Sequence, residues 1–163
     1  MKTIILVRHA KSSHDFGAGS DFNRPLNERG FRDAAEMGKK LLKKEVTIDH
    51  FVSSPALRAK RTAELFASVY NYNKNKIEFI PYLYHAGPEN FSSAITSFND
   101  AFDSIAIFSH NPGITEFADS LTHSNISNMP TSSVFAVTVP IDSWKDFETA
   151  EKNFSFYLEI GRD

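Results

Sequence analysis

The residues of this chain best suited to chemistry are a few arginines and histidines placed at the ends of apolar runs. Arg8 and His9 directly follow Ile4-Ile5-Leu6-Val7, Arg58 lies in "SSPALRAKRTA", and His110 joins "SIAIFS" to "NPG". A guanidinium presents a rigid fork of donors to phosphate oxygens. A neutral imidazole can attack phosphorus and carry a covalent phosphohistidine that water later cleaves. Neighbouring cations depress the imidazolium pKa and keep such a ring unprotonated. A second histidine can donate to a phosphoryl oxygen as charge builds there. Phosphoryl transfer asks for little more than a nucleophile in line with the leaving group and positive donors around the equatorial oxygens.

Elimination narrows the acceptor. The chain has no cysteine, so disulfides, cysteine metal sites and thiol nucleophiles are excluded. No "GxxxxGK[ST]" loop is present, and no Asp-x-Asp follows an apolar strand. Histidine is the remaining phosphoryl acceptor.

The elements that must position these groups alternate in type. Residues 3–8 read as a first strand buried on both faces. The polar stretch "KSSHDFGAGSDFNRPLN" reads as a loop, after which Asn27 can cap a helix from Glu28. Its expected apolar face is Phe31, Ala34, Ala35, Gly38, Leu41 and Leu42, with Gly30 and Gly38 allowing close helix–sheet packing. "HFVSS" is a second strand. Pro55 suits the first position of a second helix, which puts Arg58 in about its first turn. "IEFIP" is a third strand, and Phe91, Ala94, Ile95, Phe98 and Phe102 mark a third helix. "SIAIFS" is another fully apolar strand, Asn111-Pro112 caps and opens a fourth helix, and "SSVFAVTVP" and "FSFYLEI" supply late strands.

Strands alternating with helices imply an α/β three-layer sandwich, with a mostly parallel central sheet and helices on both faces. No repeat or linker divides the chain, so residues 1–163 are expected to form a single domain. In such a sheet all three junctions open on one edge, where ligands bind, and two helix N-termini add positive potential.

Composition sets the outer limits. The 163 residues are 41% hydrophobic and 23% charged, which is ordinary for a soluble globular protein. The fifteen phenylalanines are expected to fill the core. A net charge of −2 argues against nucleic acid as a partner, so any anion site must be local. No apolar run reaches membrane-spanning length, and Ile4–Val7 is too short for a signal peptide. No membrane partner and a cytoplasmic location are expected.

The motifs "LVRHAKSS", "RPLNERG", "SSPALRAKRTAELF", "LYHAGPENF" and "SHNPG" together resemble the SixA-type branch of the histidine phosphatase superfamily, with its phosphoglycerate-mutase-like fold. The match runs in register from residue 3 to about residue 140. The resemblance implies His9 as the phosphorylated nucleophile, Arg8 and Arg58 as phosphate clamps, and His110 as the second catalytic histidine. It also implies phosphatase activity without metal or other cofactor, on phosphohistidine in signalling proteins, with inorganic phosphate as product. The chain departs from the family's common residues at His14, where Trp is usual, and at Arg61, where Gln is usual; both are expected on the rim.

Other residues carry weaker expectations. Lys11, Ser12 and Asp15 lie close after His9 and are candidates to touch phosphate, Ser12 before Asp15, whose charge would repel it. His85 in "LYHAG" is a rim candidate for substrate binding. Arg24 and Asp21 are expected to pin the first loop, and His50 and His123 to be surface residues. No ligand spacing supports zinc at His14. Two rival functions share the pocket: a small-molecule phosphomonoesterase using the same His9 chemistry, and a non-catalytic domain that binds phosphorylated proteins. A pure binder has no need of a nucleophile. A mutase must exclude water from its intermediate, and no lid-sized insertion is present.

Overall fold

A computed structural model describes residues 1–14 and 19–161. Six strands form one sheet: β1 (Lys2–Arg8), β2 (His50–Ser53), β3 (Glu78–Phe79), β4 (Ser104–Ser109), β5 (Val134–Val139) and β6 (Asn153–Leu158). Their order across the sheet is β3-β2-β4-β1-β5-β6. The first four are mutually parallel, whereas β5 runs antiparallel to both β1 and β6. The fold is therefore the α/β sandwich with a mostly parallel sheet that the alternating pattern predicts.

The apolar runs are continuous because both faces of the central strands are covered. Ile5 and Val7 of β1, with Ala106 and Phe108 of β4, pack under α1 (Glu28–Lys43) and α2 (Leu57–Val69). Ile4 and Leu6, with Ile105 and Ile107, pack under α3 (Pro88–Thr96) and α4 (Gly113–Thr122). The register Leu6–Ile107 and Val52–Ile107 holds β1 and β2 on either side of β4. The carboxyl ends of these three strands thus lie at one edge, as the parallel sheet requires.

Several local expectations shift. Phe31 and Leu42 are exposed, and α1 instead buries Gly30, Asp33, Ala34, Met37, Gly38 and Leu41. Close approaches set that rotation. A Cβ on Gly30 would stand 2.0 Å from the Lys11 carbonyl oxygen, and one on Gly38 would stand 3.3 Å from Val69 Cγ2. The glycines therefore pack α1 on the β1–α1 loop and on α2, not on the sheet. α2 begins at Leu57 with Ala56 as its N-cap, two residues later than Pro55 would suggest, because the Ser54 hydroxyl accepts the Ala56 amide in a turn (3.2 Å). The "IEFIP" strand pairs over Glu78 and Phe79 alone. α3 stops at Thr96, leaving Phe98 and Phe102 to pack on the core from beyond it. Asn111 does not cap α4. The phenylalanines also divide: Phe51, Phe66, Phe91, Phe108, Phe135 and Phe147 are buried, whereas Phe22, Phe31, Phe79 and Phe154 are exposed.

Candidate active site

His9 leaves β1 with its ring buried, at 6% exposure. Its Nδ1 lies 2.8 Å from the Ala10 carbonyl oxygen. A carbonyl can only accept, so Nδ1 carries the proton and Nε2 presents a bare lone pair. Burial, followed by the charges of Arg58, Arg8 and Arg24, lowers the imidazole pKa to about 3. The ring is held neutral in the tautomer a nucleophile needs.

Arg58 sits in the first turn of α2, as the sequence suggests, and is equally buried. Its Nη1 donates to the Asp21 carbonyl (2.7 Å) and its Nη2 to the Asp21 carboxylate (3.0 Å). Arg8 Nη1 donates to the Met129 carbonyl (2.9 Å). Both guanidiniums are anchored through their outer nitrogens, while the buried Nε of each has no partner among the described residues. An unpaired buried donor is costly; two of them beside an imidazole are what an arriving oxyanion would satisfy.

His110 follows β4, its ring centroid 5.2 Å from that of His9. Its Nε2 lies 2.8 Å from Ser54 Oγ. That hydroxyl accepts from Ala56 and can give its own proton to Nε2; Nδ1 is buried without a partner among the described residues. Burial first, then His9 and Arg58, keeps the His110 pKa well below its ordinary value.

These four residues line one cavity of about 180 Å³ together with Lys11, Ser12, His14, Arg24, Asn111 and Thr131. His85 does not line it; it stands across His110, stacked on Tyr84 at 3.9 Å. Asp15 lies outside the described residues. Arg24 does more than pin the loop: it lines the cavity and donates through Nη1 to Ser12 Oγ. Asp21 is the pin, gripped by Arg58, by Arg24 (3.1 Å) and by the Tyr84 hydroxyl (2.6 Å). The Tyr84 hydrogen bond, then Arg24 and Arg58, holds its carboxyl well below the usual carboxylate range. Arg61 pairs with Glu64 (2.7 Å) outside the cavity. His50 is not a free surface residue: it bonds Glu78 (2.9 Å) and stacks on Phe102 at 4.5 Å. His123 is exposed. Among the described residues, no group of three or more His, Cys, Asp or Glu is placed to hold a metal ion.

Thr62 was missed by sequence reading. Its Oγ1 accepts the Ala10 amide (2.9 Å) and donates to the Arg58 carbonyl (2.7 Å), tying the residue after His9 to the turn that carries Arg58. The available signal is its spacing of four from Arg58 on one helix face. Ser132 is a second omission: its amide donates to the carbonyls of Arg8 and His9 (3.1 and 3.2 Å).

The His9 environment makes a direct prediction. An NMR titration of the His9 ring should show no midpoint between about pH 5 and 8, where an ordinary histidine titrates. A midpoint near 6.5 would show a solvated ring. The same shift couples to folding. The unfolded chain protonates His9 near 6.5 and the native one near 3, so its contribution to stability is complete above 6.5 and is lost as pH falls toward 3.

Fold and cavity together define an α/β protein with a phosphoryl-sized, arginine-lined pocket around an unprotonated imidazole. The histidine phosphatase superfamily (branch 1) matches over residues 4–80. It is 29% identical to an uncharacterized protein of Mycobacterium leprae over 87% of this chain and 92% of that one. It is 34% identical to the mitochondrial serine/threonine-protein phosphatase Pgam5 of Drosophila ananassae over 52% of this chain, but spans only 29% of that protein. Among solved structures, one assigned as the phosphohistidine phosphatase SixA of Agrobacterium tumefaciens superimposes with a TM-score of 0.81 at 22% identity, covering 97% of this chain and 98% of that one. The protein histidine phosphatase SixA complexed with tungstate gives 0.81 at 24% identity, covering 96% of each chain. At such identities the likeness is one of fold.

Proposed function

We propose that this chain is a phosphohistidine phosphatase that works through a covalent phosphohistidine on His9. The carrying observation is the His9 tautomer: Nδ1–H is tied to the Ala10 carbonyl, so Nε2 faces an arginine-lined cavity with its lone pair free. The superfamily match over residues 4–80 supports phosphatase activity, and a SixA neighbour of the same fold holds tungstate, a tetrahedral oxyanion like phosphate.

In this reading the phosphoryl oxygens take the unpartnered Nε–H groups of Arg8 and Arg58 and the Nδ1–H of His110. Arg24 and Lys11 add charge at the mouth. Nε2 of His9 attacks phosphorus, the bond to the leaving group breaks, and the imidazole carries the phosphoryl group. Water then attacks phosphorus, inorganic phosphate departs, and His9 recovers its lone pair. The guanidiniums supply the charge stabilisation a metal ion would otherwise give.

The substrate class follows from leaving-group chemistry. An alkoxide is a poor leaving group and calls for a positioned general acid; among the described residues, no carboxylic acid lines the cavity around His9. A phosphorylated imidazole departs more readily. The β3–β4 connection holds one turn (Pro81–Leu83) and α3, so a histidine on another protein's surface can reach the mouth. With EDTA present, a phosphohistidine protein should be turned over at least about tenfold faster in kcat/KM than sugar or glycerol phosphates, some 1.4 kcal/mol. Equal rates on a small alkyl phosphate would favour a phosphomonoesterase. Activity restored only by zinc or magnesium would overturn the metal-free mechanism.

A further inference from the structure

A second cavity, of about 330 Å³, adjoins the first and shares His110 and Asn111 with it. Tyr84 and His85 form one wall, stacked at 3.9 Å. The turn 85–87 and the start of α4 form the other, in such close contact that a Cβ on Gly113 would meet the Ala86 carbonyl oxygen at 1.8 Å. Glu116, in the first turn of α4, stands exposed on its rim. In-line displacement sends the leaving group away from the nucleophile, and His9 is not among the residues that line this cavity.

Most polar groups here are already committed. The Asn111 amide donates to Asn128 Oδ1 (2.8 Å) and the Met129 carbonyl (3.0 Å) and accepts from Thr115 (2.5 Å). The Tyr84 hydroxyl donates to Asp21. Among the described lining residues Glu116 carries the only carboxylate, and its side chain has no hydrogen bond or ion pair among the described residues.

We propose that this second cavity is the leaving-group subsite, taking the imidazole of a phosphohistidine, with the Glu116 carboxylate receiving the ring's distal N–H. The proposal rests on the phosphohistidine reading above and adds a residue that selects for it. A carboxylate at that nitrogen favours the protonated ring. When His9 Nε2 attacks, the substrate N–P bond breaks and its electron pair returns to the leaving nitrogen. The ring departs as neutral imidazole, keeping the proton on its distal nitrogen, so the enzyme supplies none. An ester oxygen carries no such N–H and gains nothing from Glu116.

A carboxylate in a helix's first turn also suits the helix dipole, and that role alone would affect every substrate alike. The test compares the wild type, Glu116→Gln and Glu116→Lys on a phosphohistidine peptide and on p-nitrophenyl phosphate. Glu116→Gln should lower kcat/KM for the peptide about tenfold relative to kcat/KM for p-nitrophenyl phosphate, the scale of one charge-assisted hydrogen bond. Glu116→Lys should deepen the peptide-specific loss. Equal losses on both substrates, or no loss on the peptide, would overturn the subsite while the wild type remains an active phosphohistidine phosphatase. A wild type that hydrolyses p-nitrophenyl phosphate but no phosphohistidine would instead remove the substrate class itself, and the subsite with it.

Discussion

His9→Ala is expected to abolish turnover, a loss on the order of 10⁶-fold, as for deletion of a covalent nucleophile elsewhere. The variant should still fold, because the His9 side chain makes one hydrogen bond, to its own neighbour Ala10, and none to a distant element among the described residues. Wild-type enzyme denatured in alkali during turnover should carry acid-labile phosphate on His9. Phosphate found on His110 would reverse the assignment. The two rings are only 5.2 Å apart, but their hydrogen bonds separate their roles. The Ala10 carbonyl leaves His9 Nε2 with a lone pair, whereas His110 Nε2 is taken up by Ser54 Oγ.

Arg58→Ala should cost about 3–4 kcal/mol of transition-state stabilisation, the scale of one lost preorganised donor, read as kcat/KM on any substrate. Arg58→Lys should recover only part of it. A lysine carries its three donors on one nitrogen and has no planar fork, so it cannot reproduce the spacing by which two separate nitrogens hold the carbonyl and the carboxylate of Asp21 (2.7 and 3.0 Å) while a third stays free. Full activity of the lysine variant would mean that Arg58 does not contact the phosphoryl group. A clamp set by two bonds from one residue has little freedom to lose when substrate arrives, which is why geometry as well as charge should matter here.

Much of the frame was legible in the chain. Ile4–Val7 and "SIAIFS" read as strands buried on both faces, and the sheet buries them so. Asn27 caps α1 through the Gly30 amide (2.8 Å). The rotation of α1 was not legible, because Phe31 and Leu42 satisfy a helical period as well as Met37 does. Close approach at Gly30 and Gly38 decided between them. Arg24 was likewise read as a loop anchor, since nothing local distinguishes an arginine bonded to Asp21 from one that also reaches Ser12.

The sequence by itself determined which groups arrive at the strand ends: an arginine and a histidine after β1, an arginine in the first turn after β2, and a histidine after β4. That information is local, carried by residue type and by position relative to an apolar run. Tertiary structure decided which of their N–H groups stay free. Arg8 is anchored by a carbonyl 121 residues away and Arg58 by a residue 37 away, while Ser54, 56 residues away, occupies His110 Nε2. Hydrogen bonds are directional, and no sequence period encodes the direction of a partner brought in by the packing of the sheet.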